Sequence, residues 1–133
     1  MTEPQLAVGI HHVNFAISDL ERSYEWYSKL FGVKSIDVSK WTPDTKTLLM
    51  RSPDDKWHLH LNPTREVVRS DFFHFAIEVN DWDAFIKRCN DLGIEYANVR
   101  ERPQDRSKTL QLRDPDGILV EVTHHEKFYD END

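Results

Sequence analysis

The chain has 133 residues, 38% hydrophobic and 31% charged, with a formal net charge of -7. A domain of this length buries roughly two-thirds of its unfolded surface, so one water-soluble domain over 1–133 is expected, and the mean hydropathy of -0.68 argues against both disorder and membrane insertion. The acidic balance repels polyphosphate backbones, which excludes nucleic acid as an expected partner, and the apolar runs are too short to span a bilayer. MTEPQLAVG at the start carries no basic leader followed by an apolar stretch, so a cytoplasmic protein is expected. The single cysteine, Cys89, sits among apolar residues of a predicted helix and reads as a buried structural thiol.

In chain order, an apolar strand opens at His12 and a polar turn follows at Ser18-Asp19. Next comes a helix with Leu20, Tyr24, Tyr27, Leu30 and Phe31 on one face, and Gly32 is placed to stop it. Strands are predicted over Lys34–Ser39, Thr45–Arg51 and Trp57–Asn62. The plan then repeats. A strand carrying His74, a turn at Asn80-Asp81, and a helix with Trp82, Phe85, Ile86, Cys89 and Leu92 on one face lead to Gly93. Strands at Tyr96–Arg100, Thr109–Arg113 and Ile118–Thr123 complete it. Asp114-Pro115-Asp116-Gly117 is a turn by composition and makes the last two strands a hairpin. The expected class is therefore α+β, two βαβββ modules covering about 9–62 and 71–123, with a solvated acidic tail over 124–133.

Strand alternation sorts the polar residues. His12 and Asn14 share the face opposite Val13 and Phe15; Phe72 and His74 lie opposite Phe73 and Phe75; Glu121 lies opposite Val120 and Val122. His58 and His60 alternate with Trp57, Leu59 and Leu61, and Gln111 and Arg113 with Leu110 and Leu112. Each histidine alone reads as a half-exposed sheet residue. Gathered with a carboxylate they are costly to bury unless paired or bound to a metal, so a divalent metal held by His12, His74 and Glu121 is the economical explanation. His11 is expected to point to the helix side, and His124 and His125 to lie exposed at the edge of the charged tail.

The segments GIHHVNFAISDLERSYEWYSKLFGV, DFFHFAIEVNDWDAF and LRDPDGILVEVT resemble the vicinal oxygen chelate superfamily, over about Gly9 to Thr123. That group includes glyoxalase I, methylmalonyl-CoA epimerase, fosfomycin-resistance thiol transferases, extradiol dioxygenases and metal-free bleomycin-binding proteins. The resemblance implies two βαβββ modules forming a cupped mixed sheet and places the family's metal positions on His12, His74 and Glu121. It also implies a homodimer whose site is shared between subunits, and a small-molecule substrate whose neighbouring oxygens chelate the metal.

The reaction is less constrained, because one fold hosts many chemistries. On the strand before the second histidine, where glyoxalase I and the epimerase place a fourth carboxylate or amide ligand, this chain has Trp57-His58-Leu59-His60. Extradiol dioxygenases carry an acid/base histidine there, and His60 best resembles it, with His58 as a second candidate and a possible fourth ligand; Asn14 fits the same comparison. Against this, Gln111 stands ten residues before Glu121, where those enzymes have tyrosine. The stretch HHEKFYDEND disfavours action on fosfomycin itself but leaves thiol addition to another electrophile open. Arg113 is the candidate contact for an anionic substrate, with Gln111, Asn14 and Phe72 lining the same surface. The leading expectation is an Fe(II) dioxygenase, Fe(II) being favoured over Mn, Ni, Zn or Mg. The alternative is a glyoxalase-like lyase, isomerase or thiol transferase using the metal as a Lewis acid, and the third is a metabolite- or drug-binding protein.

Overall fold

The computed structural model describes residues 6–36 and 46–126. The end of the strand expected over Lys34–Ser39, the start of that over Thr45–Arg51, and tail residues 127–133 lie outside the described residues. The chain divides into two compact units, Met1–Glu66 and Val67–Asp133, which coincide with the two halves of the sequence repeat.

In the first unit, β1 (His12–Ala16) leads into α1 (Leu20–Phe31), and β2 (Lys34–Ser35), β3 (Leu48–Arg51) and β4 (His58–Asn62) follow. The sheet order is β1-β4-β3-β2. β1 runs parallel to β4, the long connection through α1, β2 and β3 supplying the crossover that parallel strands need, and the remaining neighbours are antiparallel. The second unit repeats this with β5 (Phe75–Glu78), α2 (Trp82–Leu92), β6 (Ala97–Arg102), β7 (Ser107–Arg113) and β8 (Leu119–His124), in the order β5-β8-β7-β6. The α+β class and the two βαβββ modules are thus present, each module closing its own four-stranded mixed sheet.

The helices form where the sequence supplies both ends. Asp19 accepts a hydrogen bond from the Arg22 N–H at 3.0 Å and Asp81 one from Ala84 at 3.0 Å, each satisfying an amide that the first helical turn leaves unpaired. Gly32 (φ 73°) and Gly93 (φ 70°) end the helices in the left-handed conformation that only glycine enters without penalty. Asp19→Ala is expected to cost about 1 kcal/mol, read as a shift of the urea midpoint at unchanged slope.

Each helix packs its apolar stripe on one side of its own sheet. In the first unit Tyr27, Leu30, Phe31 and Val33 are buried with Met50, Leu59, Leu61 and Ile17, and the Tyr27 ring lies 5.5 Å from that of Phe15. In the second, Trp82, Phe85 and Cys89 are buried with Ile77, Leu110, Leu112, Leu119, Val120 and Val122. The outer members of the expected stripes, Tyr24 and Leu92, are 36% and 41% exposed, because the buried arc of each helix is narrower than its apolar arc. Burial holds the Cys89 thiol up at about 11 from 9.0, so the folded state keeps a proton that the unfolded chain releases. Stability is therefore complete below pH 9 and falls as pH rises toward 11. Urea midpoints at pH 8 and 10.5 are expected to fall further for wild type than for Cys89→Ala.

Candidate functional site

With the apolar sides of the strands committed to the helices, the polar residues emerge on the opposite faces. β4 shows this directly: Leu59 and Leu61 are buried while His58, His60 and Asn62 are half-buried.

The first unit gathers histidines from β1 and β4. The parallel register sets His12 opposite His58 and Asn14 opposite His60. The His12 and His60 rings stack with centroids 4.0 Å apart and planes 12° from parallel. His58 Nε2 lies 3.1 Å from Asp55 Oδ1, a residue in the left-handed conformation at φ 60°. Burial, and then the neighbouring His12, His58 and His11, push His60 down to about 4 from 6.5, so its ring is neutral at physiological pH. Four imidazoles side by side cannot all carry charge. His11 corrects an expectation: it is exposed, its Nδ1 lies 2.9 Å from that of His12, and its ring is 4.6 Å from that of His58. β1 begins at His12, so strand alternation does not govern the residue before it.

The second unit brings His74 and Glu121 together. His74 Nε2 lies 2.8 Å from Glu121 Oε2, and Nδ1 donates to the Phe72 carbonyl at 2.7 Å. A carbonyl only accepts, so Nδ1 carries a proton, and the contact with the carboxylate calls for a second proton on Nε2. The Phe72 bond and then Glu121 accordingly raise the His74 pKa above its ordinary value. This donor set fits a divalent cation. A carbonyl fixes the Nδ1–H tautomer, as metal-bound histidines require, and a cation would displace the Nε2 proton between the imidazole and the carboxylate. Among the described residues no group of three or more His, Cys, Asp or Glu side chains is placed to hold an ion; the second unit by itself offers this pair.

Gln111 stands opposite Glu121 across β7 and β8, and its Oε1 accepts from Asn98 Nδ2 at 2.6 Å. Asn98 escapes strand-pattern reading because it sits at φ 56° beside the irregular pairing of β6 between Ala97 and Arg100. Phe72 is 78% exposed with its ring 5.8 Å from that of Phe73. Arg113, expected as an anion contact, donates from Nη1 to the carbonyls of Ser70 (3.1 Å) and Gly117 (3.2 Å) and from Nη2 to Asp71 Oδ1 (3.0 Å). His124 and His125, expected to be exposed, are further corrections. His124 is buried with Nδ1 donating to the Val79 carbonyl, and His125 bonds Glu78 through both its backbone N–H and its ring, because β8 extends to residue 124 beside β7, next to the end of β5.

A family model described as the Glyoxalase/Bleomycin resistance protein/Dioxygenase superfamily matches residues 9–122. The chain belongs to that superfamily. Among its superfamily relatives, the metallothiol transferase FosB of Shouchella clausii (strain KSM-K16) is 29% identical over 119 residues, covering 86% of this chain and 78% of that one. The trivalent organoarsenical cleaving enzyme of Bacillus sp. (strain MD1) is 35% identical over 130 residues, covering 91% and 76%. The fold also matches a crystal structure of a variant of the fosfomycin resistance protein FosX from Listeria monocytogenes. The TM-score is 0.74 at 18% identity, over 90% of this chain and 94% of that one, and that crystal structure contains Mn(II) and 1S,2S-dihydroxypropylphosphonic acid. The two relatives matched in sequence are a transferase and a cleaving enzyme; they agree with the alternative to the Fe(II) dioxygenase better than with the dioxygenase itself.

Proposed function

We propose that this chain is a metal-dependent thiol transferase. On this reading His12, His74 and Glu121 hold a divalent cation, Mn(II) ahead of Fe(II), and a small-molecule electrophile with neighbouring oxygens is joined to a free thiol. The contact that carries the reading is the 2.8 Å approach of His74 Nε2 to Glu121 Oε2, with Nδ1 already bonded to a backbone carbonyl. When bound, the cation supplies Lewis-acid charge that stabilises the oxyanion developing on the substrate.

The protein's own groups have separable roles. Neutral His60 accepts the thiol proton as sulfur attacks carbon; the new C–S bond replaces a C–O bond, and the proton ends on the departing oxygen. Asp55 orients His58 beside it. Asn98 occupies Gln111 Oε1, which leaves the Gln111 amide N–H groups to meet a substrate oxygen. Asn14, opposite His60, and exposed Phe72 complete the substrate surface. The thiol has to come from solution, since Cys89 is buried with its thiol raised to about 11. The same fact counts against cleavage of a trivalent arsenical, a soft electrophile best held by thiolates.

The proposed protein is a cytoplasmic homodimer. Among the described residues no helix is long and apolar enough to cross a membrane. Leu6, Val8 and Ile10 alternate ahead of the edge strand β1 with exposures of 83–90%, and Phe72 and Phe73 are 78% and 81% exposed ahead of the edge strand β5. Apolar rows beside open strand edges suit burial against a second copy, which light scattering would report as twice the chain mass.

The test of the activity is anaerobic loading with Mn(II), Fe(II), Zn(II) or Ni(II), followed by low-molecular-weight thiols and a panel of electrophiles read by mass spectrometry. Metal- and thiol-dependent adducts with no oxygen uptake are expected. His60→Ala is expected to keep the metal and lose turnover by about 100-fold or more. Substrate-dependent oxygen uptake by the Fe(II) form, without adduct, would restore the dioxygenase reading.

A further inference from the structure

The metal ligand His74 lies outside the sheet. β5 begins at Phe75, where the register with β8 starts opposite Val120, so the residue that has to meet Glu121 stands one position ahead of the strand. A ligand carried on irregular backbone needs other restraints, since small errors in ligand placement are costly.

Those restraints come from two arginines that cross between the same two segments in opposite directions. Arg69, on the approach to His74, donates through Nε to the carbonyl of Asp116 in the Asp114–Gly117 turn. Arg113, entering that turn from β7, reaches back to the Ser70 carbonyl and the Asp71 carboxylate while also bonding Gly117. Each end is itself braced. Asp114 Oδ1 accepts the amides of Asp116 and Ile118 at 2.8 and 2.9 Å. Ser70 Oγ accepts those of Phe72 and Phe73 at 3.0 and 2.9 Å, and the Phe72 carbonyl receives His74 Nδ1–H. Gly117 is favoured by its φ of 85°, and a Cβ there would press within 3.3 Å of Arg69 Cδ and Nε. The hairpin turn thus touches the lead-in to one ligand and opens the strand that carries the other.

We propose that Arg113 and Arg69 are positioning residues for the metal centre, reciprocal staples that lock residues 69–74 to the Asp114–Gly117 turn and so set His74 against Glu121. This rests on the reading of His74 and Glu121 as ligands. It reassigns Arg113 from the substrate to the protein: the guanidinium fork spends three N–H groups on Ser70, Asp71 and Gly117, and Asp71 offsets its charge.

The staple and a purely electrostatic role predict opposite signs. Removing a cation near a divalent site relieves repulsion and tightens the metal, whereas removing a staple loosens it. Mn(II) binding to the metal-free full-length protein, followed by electron paramagnetic resonance, is expected to weaken about tenfold or more in Arg113→Met. Arg113→Lys, which keeps the charge but lacks the fork, is expected to weaken similarly, and so is Arg69→Met. In the metal-free variants, amide exchange at Phe72 and Phe73 should accelerate while Leu110 and Val122 stay protected, which confirms the fold. If Arg113→Met and Arg113→Lys bind Mn(II) as tightly as wild type while His74→Ala does not, the staples are refuted and the ligand reading stands. If His74→Ala retains wild-type affinity, the ligand reading falls and takes this proposal with it.

Discussion

Glu121→Ala is expected to lower Mn(II) affinity by more than about 100-fold, because loss of an outer-sphere partner alone costs 10–100-fold and loss of a ligand costs more. The reason lies in what the carboxylate does before any metal arrives. At 2.8 Å from His74 Nε2 it supplies the negative charge that a cation would share and defines where that cation sits. Neither register partner of Glu121 can stand in for it: Gln111 on β7 is uncharged and already bonded to Asn98, and on β5 the partner is Ala76. Glu121→Gln keeps the shape and loses the charge, so it should fall between wild type and alanine. His12→Ala is expected to behave like Glu121→Ala, and His60→Ala to bind near wild type. Isothermal titration with Mn(II) distinguishes them; unchanged affinity in Glu121→Ala would remove the metal site as assigned. The melting temperature of metal-free Glu121→Ala should stay within a few degrees of wild type, since Glu121 is half-buried and contributes no core packing.

Tyr27→Ala is expected to do the reverse, destabilising the protein by about 3–5 kcal/mol and lowering the melting temperature by on the order of 10–20 °C. The side chain is fully buried and meets the rings of Phe15, Trp26 and Phe31, with centroids 5.5, 4.7 and 6.3 Å away. It therefore joins α1 to β1, the strand that carries His12. Truncation leaves a ring-sized cavity among residues that cannot close it without shifting the helix. Tyr27→Phe preserves the packing and isolates the hydroxyl contribution, for which a smaller loss, of about 1 kcal/mol, is expected. A calorimetric scan of the pair decides the matter. A Tyr27→Ala protein that melts within a few degrees of wild type would mean that α1 is not docked as described.

Local chemistry was legible wherever a short run of residues carries the instruction. Asp19 and Asp81 with Gly32 and Gly93 bound both helices at the expected places, and Asp114-Pro115-Asp116-Gly117 folds as the hairpin its composition requires. Alternation correctly separated Leu59 and Leu61 from His58 and His60, because a pleated strand has a period of two whatever it packs against. The superfamily followed from the same residues.

Where a contact spans the module, the reading from sequence was weaker. Alternation begins at His12 and so does not place His11, and the charged neighbours of His124 and His125 hide the continuation of β8 beside β7 as far as residue 124. Arg113 was correctly placed at the end of β7, but nothing in its neighbourhood announced that Ser70 and Asp71, more than forty positions earlier, take its guanidinium. Asn98 is illegible in the sequence for a related reason, since a single left-handed residue inside a strand leaves no periodic trace.

Sequence alone determined the repeat, the helices with their caps, the hairpin and the face that His58 and His60 share on β4, all consequences of periodicities and conformational preferences that act within a few residues. Tertiary structure decided which of those groups meet: His74 with Glu121, Arg69 with Asp116 and His125 with Glu78 are each 47 positions apart. Such pairs form only after the hydrophobic faces of helix and sheet have closed on each other, because the burial of those faces, rather than any attraction between the polar partners, supplies the free energy that brings distant strands into register.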